Sequence, residues 1–151
     1  MAQTTTHANA CNVALFIDDS NGALTNVSGS TNQVSLELTR TLGSLVTFEG
    51  NWDIVTACKR SGTITIGAVY STASGEAREL LEGWFFGDDS GADSRTVQIN
   101  VPNNNVGSRR YEAECVIESM SLPIDASTAD PIALTFRLRT NGTVTRSAIT
   151  S

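Results

Sequence analysis

The sequence predicts a mainly β domain: a β-sandwich or barrel with one α-helix and one long loop between strands. Three observations lead there. Several segments alternate apolar and polar side chains with period two, as half-buried strands do. One segment alone repeats its apolar residues at helical spacing. Gly, Asn and Pro fall between these runs, where the turns of a sandwich or barrel belong. The chain has 151 residues, 40% of them hydrophobic. That suffices for one domain with a real core, since a chain of about 150 residues buries roughly 70% of its unfolded surface.

Residues 1–12 lack periodicity and carry many small polar side chains. They are expected to form a flexible N-terminal arm ahead of a single domain over residues 13–151. Val13 to Asp18 reads as a short strand, and Asp19-Ser20-Asn21-Gly22 as a turn that returns Ala23 to Val27. Gln33 to Arg40 places Val34, Leu36 and Leu38 on one face and Ser35, Glu37 and Thr39 on the other. Residues 41–60 then break the pattern. Gly43, Gly50 and Asn51 interrupt Leu45, Val46, Phe48, Trp52, Ile54 and Val55. This stretch is expected to be a long excursion between strands, of the kind that is uncommon and often functional. So much apolar surface is a liability in a soluble monomer, so a protein partner should cover Phe48, Trp52, Ile54 and Val55.

Ser61 to Tyr70 is a strand rich in Thr and Ile. Ser74 is placed to cap a helix, with Glu76 in its first turn. Ala77, Leu80, Leu81, Trp84 and Phe85 form one apolar helical stripe, read as core, and Gly87 ends it. Asp88 to Asp93 reads as an exposed acidic turn. Thr96 to Val101 and Arg110 to Ser121 alternate again. In the second of these, Glu112, Glu114 and Glu118 share a face opposite Tyr111, Ala113, Cys115 and Ile117. Pro131 to Thr140 puts Ile132, Leu134, Phe136 and Leu138 on one side. Asn141-Gly142 is expected to turn it into a hairpin with Thr143 to Ile149.

The chemistry-bearing residues point away from catalysis. The only histidine, His7, lies in the least patterned stretch, which disfavours a Ser-His-Asp or Cys-His nucleophile. Phosphate-loop, dinucleotide and nucleophile-elbow motifs are missing. Asp88, Asp89 and Asp93 lack the twelve-residue calcium-loop pattern, and no Cys-His spacing suits zinc. The expectation is therefore no enzyme, no cofactor and no metal. Cys11, Cys58 and Cys115 are an odd set without disulfide spacing, expected to stay free thiols. The net charge of −6 repels phosphate, so tight nucleic-acid binding is disfavoured, while a surface along which DNA slides is not. The N-terminal stretch carries no basic-then-apolar secretory pattern, and no apolar run approaches the length of a membrane span.

Several stretches in chain order resemble siphophage-type major tail tube proteins. They are Val34-Ser35-Leu36-Glu37-Leu38, then Val46-Thr47-Phe48-Glu49-Gly50-Asn51-Trp52, the glycine-flanked strand Gly62 to Tyr70, the helix from Ala77 to Trp84, and the closing Leu134 to Arg146. The likeness spans residues 13–149 and rests on element order more than on any one motif. Glu49 stands where the family's pattern places Gly directly after Phe. The resemblance implies a virion structural protein, assembled in the host cytoplasm, that self-associates into stacked rings. These are usually hexameric, or trimers of a duplicated domain, and the single-domain length here favours the hexamer. Strands of neighbouring subunits would join into a ring-wide β-barrel, with the helix outside and the long loop bridging rings. An acidic lumen, with Glu37, Glu112, Glu114 and Glu118 as candidate lining, would pass DNA transiently during ejection. Implied partners are tape measure, tail terminator and tail tip proteins, with no membrane. Two readings compete: a virion decoration or adhesion module with a β-sandwich, and a small secreted binding domain, which the missing secretory pattern disfavours.

Overall fold

The computed structural model describes residues 10–150. Most of the expected N-terminal arm, with His7, lies outside them; its last residues, Ala10–Asn12, form a single 3-10 turn. Eight strands follow: β1 Ala14–Asp18, β2 Leu24–Asn26, β3 Thr31–Leu45, β4 Ile54–Val69, β5 Arg95–Val101, β6 Arg109–Ser121, β7 Ala133–Thr140 and β8 Thr145–Ala148. One helix, α1 Ala77–Phe86, sits between β4 and β5. The strands build one antiparallel sheet in the order β2-β1-β5-β6-β7-β4-β3, with β8 added to β6. The mainly β, single-helix expectation holds.

One face of this sheet is the core. Cross-strand register sets Ile17 beside Val97 and Val97 beside Ala113. It likewise aligns Ile64 with Leu138, Ile66 with Phe136 and Ala68 with Leu134. These residues are buried together with Leu81 and Trp84 of α1. Each fully buried large apolar side chain contributes about 1.5–3 kcal/mol. Gly62 sits where β4 leaves this core. A Cβ there would lie 2.8 Å from Leu38 Cδ2 and 3.0 Å from Thr140 Cγ2, so any larger residue would push these side chains aside where the three strands close up.

Four details differ from the sequence reading. The excursion over residues 41–60 is no irregular loop: β3 and β4 stay paired out to Leu45 opposite Ile54, past one bulge between Arg40 and Leu42. Only residues 46–53 form the tip, and Ile54 and Val55 belong to β4. The chain end is no hairpin either. β8 pairs with β6, Glu112 opposite Thr145, while β7 pairs with β6 from Cys115 opposite Thr140. β7 and β8 thus lie end to end along one edge of β6, and Asn141-Gly142 marks the step between them. This happens because β6 outruns β7 and leaves its own first residues needing partners.

The helix cap is Glu76, not Ser74. Ser30 Oγ accepts the Ala77 N–H at 2.9 Å, and Glu79 Oε2 accepts the Gly75 N–H at 2.7 Å. Gly87, at φ 73°, ends the helix as read. Finally, Phe85 is exposed rather than core; the buried stripe is Ala77, Leu81 and Trp84.

The acidic turn does structural work that the alternation did not reveal. Arg95 lies on the core face, 2% exposed, with its guanidinium 5.3 Å from the Trp84 ring centroid. Its Nη2 donates to both Asp89 oxygens, at 2.7 and 2.8 Å, and its Nε to the Ala92 carbonyl at 3.0 Å. Trp84 Nε1 donates to the Asp93 carbonyl at 2.7 Å. Burial alone would raise the Asp89 pKa, but the Arg95 hydrogen bonds and the Gly91 N–H outweigh it and hold it below the ordinary value. A lowered folded pKa adds stability above the ordinary carboxylate range, and that stability disappears as pH falls through the lowered value. Asp89→Asn is therefore expected to cost about 2–4 kcal/mol at neutral pH, because it strands a buried guanidinium. In urea titrations the gap to the parent should narrow in acid, where the parent's own Asp89 protonates.

Candidate assembly surfaces

The candidate site starts where β3 and β4 run on beyond the core. Leu42 pairs with Ala57, Ser44 with Val55 and Leu45 with Ile54 in a two-stranded arm that packs on no other described residues. Its tip turns through a Gly50 N–H to Thr47 carbonyl bond of 3.4 Å. Phe48 is 111% exposed and Trp52 89%, and Leu42, Leu45, Val46, Ile54 and Val55 are exposed as well. The four residues singled out in this stretch thus lie together, two at the tip and two on the adjoining strand. A two-stranded ribbon is marginal alone in water, and apolar residues gathered on one projecting arm are a liability when left exposed.

The sheet also ends on an open edge. Among the described residues β3 has a neighbour only in β4, so its fifteen residues present one unpaired row of backbone groups. Such an edge invites another chain. The opposite edge, β2, is only three residues long.

The second sheet face carries all four glutamates. Glu37 pairs with Thr63, Thr63 with Arg139, and Arg139 with Val116, which alternates in phase with Glu114 and Glu112. Gln98 donates to Glu112 and Thr96 Oγ1 to Glu114, which Ser94 Oγ also reaches at 3.2 Å. Glu118 pairs with Arg137 at 3.2 Å and lies 3.9 Å from Arg139. The face is therefore mixed in charge. Arg137 and Arg139 were legible in the alternation of β7, opposite Phe136 and Leu138, but sequence reading weighed only the acids.

Among the described residues no group of three or more His, Cys, Asp or Glu could hold a metal ion. No helix is long and apolar enough to cross a membrane. All three cysteines are free: Cys11 and Cys58 are exposed and Cys115 is buried. Burial, with a contribution from Glu114, pushes the Cys115 thiol up to about 12. A thiol-reactive disulfide reagent at pH 8 should modify two thiols in the native protein and three after unfolding.

At the level of sequence the chain matches no protein-family model and no curated protein. Its fold is nonetheless shared with solved structures. The tail of an empty gene transfer agent particle, refined with C6 symmetry, superposes at a TM-score of 0.71 and 12% identity over 94% of this chain and 100% of that one. The SPP1 tail tube superposes at 0.74 and 9% identity, over 96% and 81%. A tube-sheath complex of an extracellular contractile injection system in the extended state gives 0.71 and 14%, over 96% and 94%. The chain has the fold of tail tube subunits.

Proposed function

We propose that this chain is a structural, non-enzymatic subunit that polymerises as stacked rings into the tube of a phage tail or tail-like particle. The observation that carries it is the projecting arm, whose Phe48 and Trp52 are exposed and find no partner surface among the described residues of their own subunit. The shared fold with tail and injection-system tubes supports the same reading. Rings of six accord with the C6 symmetry of the gene transfer agent tail. The open β3 edge suits strand pairing around a ring, and cyclic closure removes the edge.

In this reading the glutamate-bearing face lines the lumen. DNA clings to Lys and Arg by counterion release, but not to carboxylates. Glu37, Glu112 and Glu114 supply the acid, while Glu118 is largely balanced by Arg137. Terminator, tip and tape measure proteins would complete the tail in the virion, with assembly in the host cytoplasm. A decoration or adhesion module would instead present its apolar arm to a capsid or glycan and remain a discrete particle.

Electron microscopy of the concentrated protein separates these readings: tubes of uniform diameter are expected, and discrete trimers or monomers would refute the tube. Replacing residues 46–53 by a short turn should leave the sheet folded and abolish tubes, since it removes Phe48 and Trp52 without touching the core; normal tubes from that variant would remove the arm from the contact. In particles, Glu112→Lys with Glu114→Lys should leave tubes intact and slow DNA ejection. Unchanged ejection would place those carboxylates elsewhere.

A further inference from the structure

The root of the arm carries a second surface, distinct from its apolar tip. β7 stops at Thr140, and the chain steps away through Gly142, Thr143 and Val144 to join β6 as β8. Pairing between β4 and β7 ends at Thr63 opposite Arg139. Among the described residues, the arm's half of β4 therefore has no strand on that side. An open groove of about 660 Å³ is left, lined by Leu38, Arg40, Lys59, Arg60, Thr140 and Val144.

The groove's lining combines apolar Leu38 and Val144 with three basic side chains. Arg40 and Arg60 are direct cross-strand partners, and Lys59 adjoins them. Like charges directly opposite on a ladder repel. No ion pair among the described residues relieves any of the three. An acidic group from outside the subunit would.

The complementary surface lies at the other end of the same sheet. The connection between β6 and β7, residues 122–132, exposes Leu122, Ile124 and Ile132, and carries Asp125 and Asp130 without a single basic residue. It is locally ordered: Asp125 Oδ1 accepts the Ser127 N–H at 2.9 Å and its hydroxyl at 2.7 Å. Tyr70 N–H holds its far end at the Ile132 carbonyl, 2.8 Å away. Register places this loop beside the start of β3 and the groove beside Arg40. From Gln33 to Arg40 the strand rises about 23 Å, so the loop cannot reach its own groove.

We infer that the basic groove receives the β6–β7 loop of a second copy of this chain. Asp125 and Asp130 pair with Arg40, Lys59 and Arg60, and Ile124 covers the apolar wall formed by Leu38 and Val144. The inference rests on the self-assembly reading and names one of its contacts. In the self-assembly reading, with donor and acceptor surfaces at opposite ends of the subunit, the contact runs head-to-tail from one copy to the next. Such a contact repeats from copy to copy instead of saturating in a dimer. The other acidic stretch, Asp88 to Asp93, is a poorer occupant, since Asp89 is already bound to Arg95.

Paired charge reversal tests it. All four substituted positions are exposed, so Arg40→Glu with Arg60→Glu, and Asp125→Lys with Asp130→Lys, should keep the parent's circular dichroism. Each reversed protein alone is expected to raise the critical concentration for assembly at least tenfold. Mixed together they should assemble again as alternating copies, because each groove then meets a loop of opposite sign. If the parent forms tubes and either reversal assembles normally, or the mixture does not recover, the groove contact is wrong and the tube stands. Rescue of the groove reversal by Asp88→Lys with Asp93→Lys, instead of the loop reversal, would also overturn it. Sedimentation velocity below the assembly threshold reads the contact without tubes. The parent should show salt-sensitive self-association that the groove reversal lacks. A parent that stays monomeric at every concentration overturns this inference and the tube reading together.

Discussion

Everything outside the core depends on one ladder, the antiparallel pairing of β3 with β4. Its inner half is ordinary core, where Ile64, Ile66 and Ala68 are buried between β3 and β7. Its outer half is an arm in water. Both strands run on from one half into the other past the bulge between Arg40 and Leu42, so the core that orders Ile64 also anchors the strand that carries Ile54 and the tip. A hairpin of this length would not hold its shape alone. Anchored at Gly62 by the Thr140 hydroxyl, which bonds both the glycine N–H at 3.0 Å and its carbonyl at 3.3 Å, it becomes a preorganised probe. A partner meeting such a probe has less conformational entropy to overcome.

The sequence made the inner half of this ladder legible and hid the outer half, for a physical reason. Alternation reports a surface with one wet and one dry face on the same subunit. From Gln33 to Arg40 that holds, and the strand could be read. From Thr41 to Arg60 both faces are wet in the isolated chain, so Leu42, Leu45 and Val55 obey no single-subunit pattern and looked like loop. The same limit explains the chain end. Asn141-Gly142 signals a local change of direction, but which strand receives the next segment is settled by the unpaired backbone of Arg109 to Glu112, far away in sequence. Arg95 was invisible for a different reason. A charged residue at a core position is recognisable only once Asp89 and Trp84 are known to surround it.

The electrostatic pattern was read from the acids alone and therefore only half seen. Strand alternation put Glu37, Glu112 and Glu114 on one face, and the register confirms that they share it. It put Arg137 and Arg139 there as well. Charged groups facing each other on a sheet partly cancel, as Glu118 and Arg137 do, and what a neighbour or a passing polyanion senses is the remainder. That remainder depends on pairing across strands distant in sequence, which no count of glutamates predicts.

Charge is also distributed along the strands, and this bears on the head-to-tail contact proposed above. The chain is acidic as a whole, yet Arg40, Lys59 and Arg60 collect at one end of the sheet and Asp125 and Asp130 at the other. Identical subunits of net charge −6 repel one another at long range, and salt screens that repulsion beyond about 8 Å. A local basic groove facing an acidic loop reverses the sign only at contact and only in one orientation. Wrong encounters, groove to groove or loop to loop, keep like charges together and are rejected. Apolar tips such as Phe48 and Trp52 supply attraction without direction. In the proposed assembly the polarity of the charged ends would supply the direction, so that the exposed arm would lead to ordered growth rather than to indiscriminate aggregation.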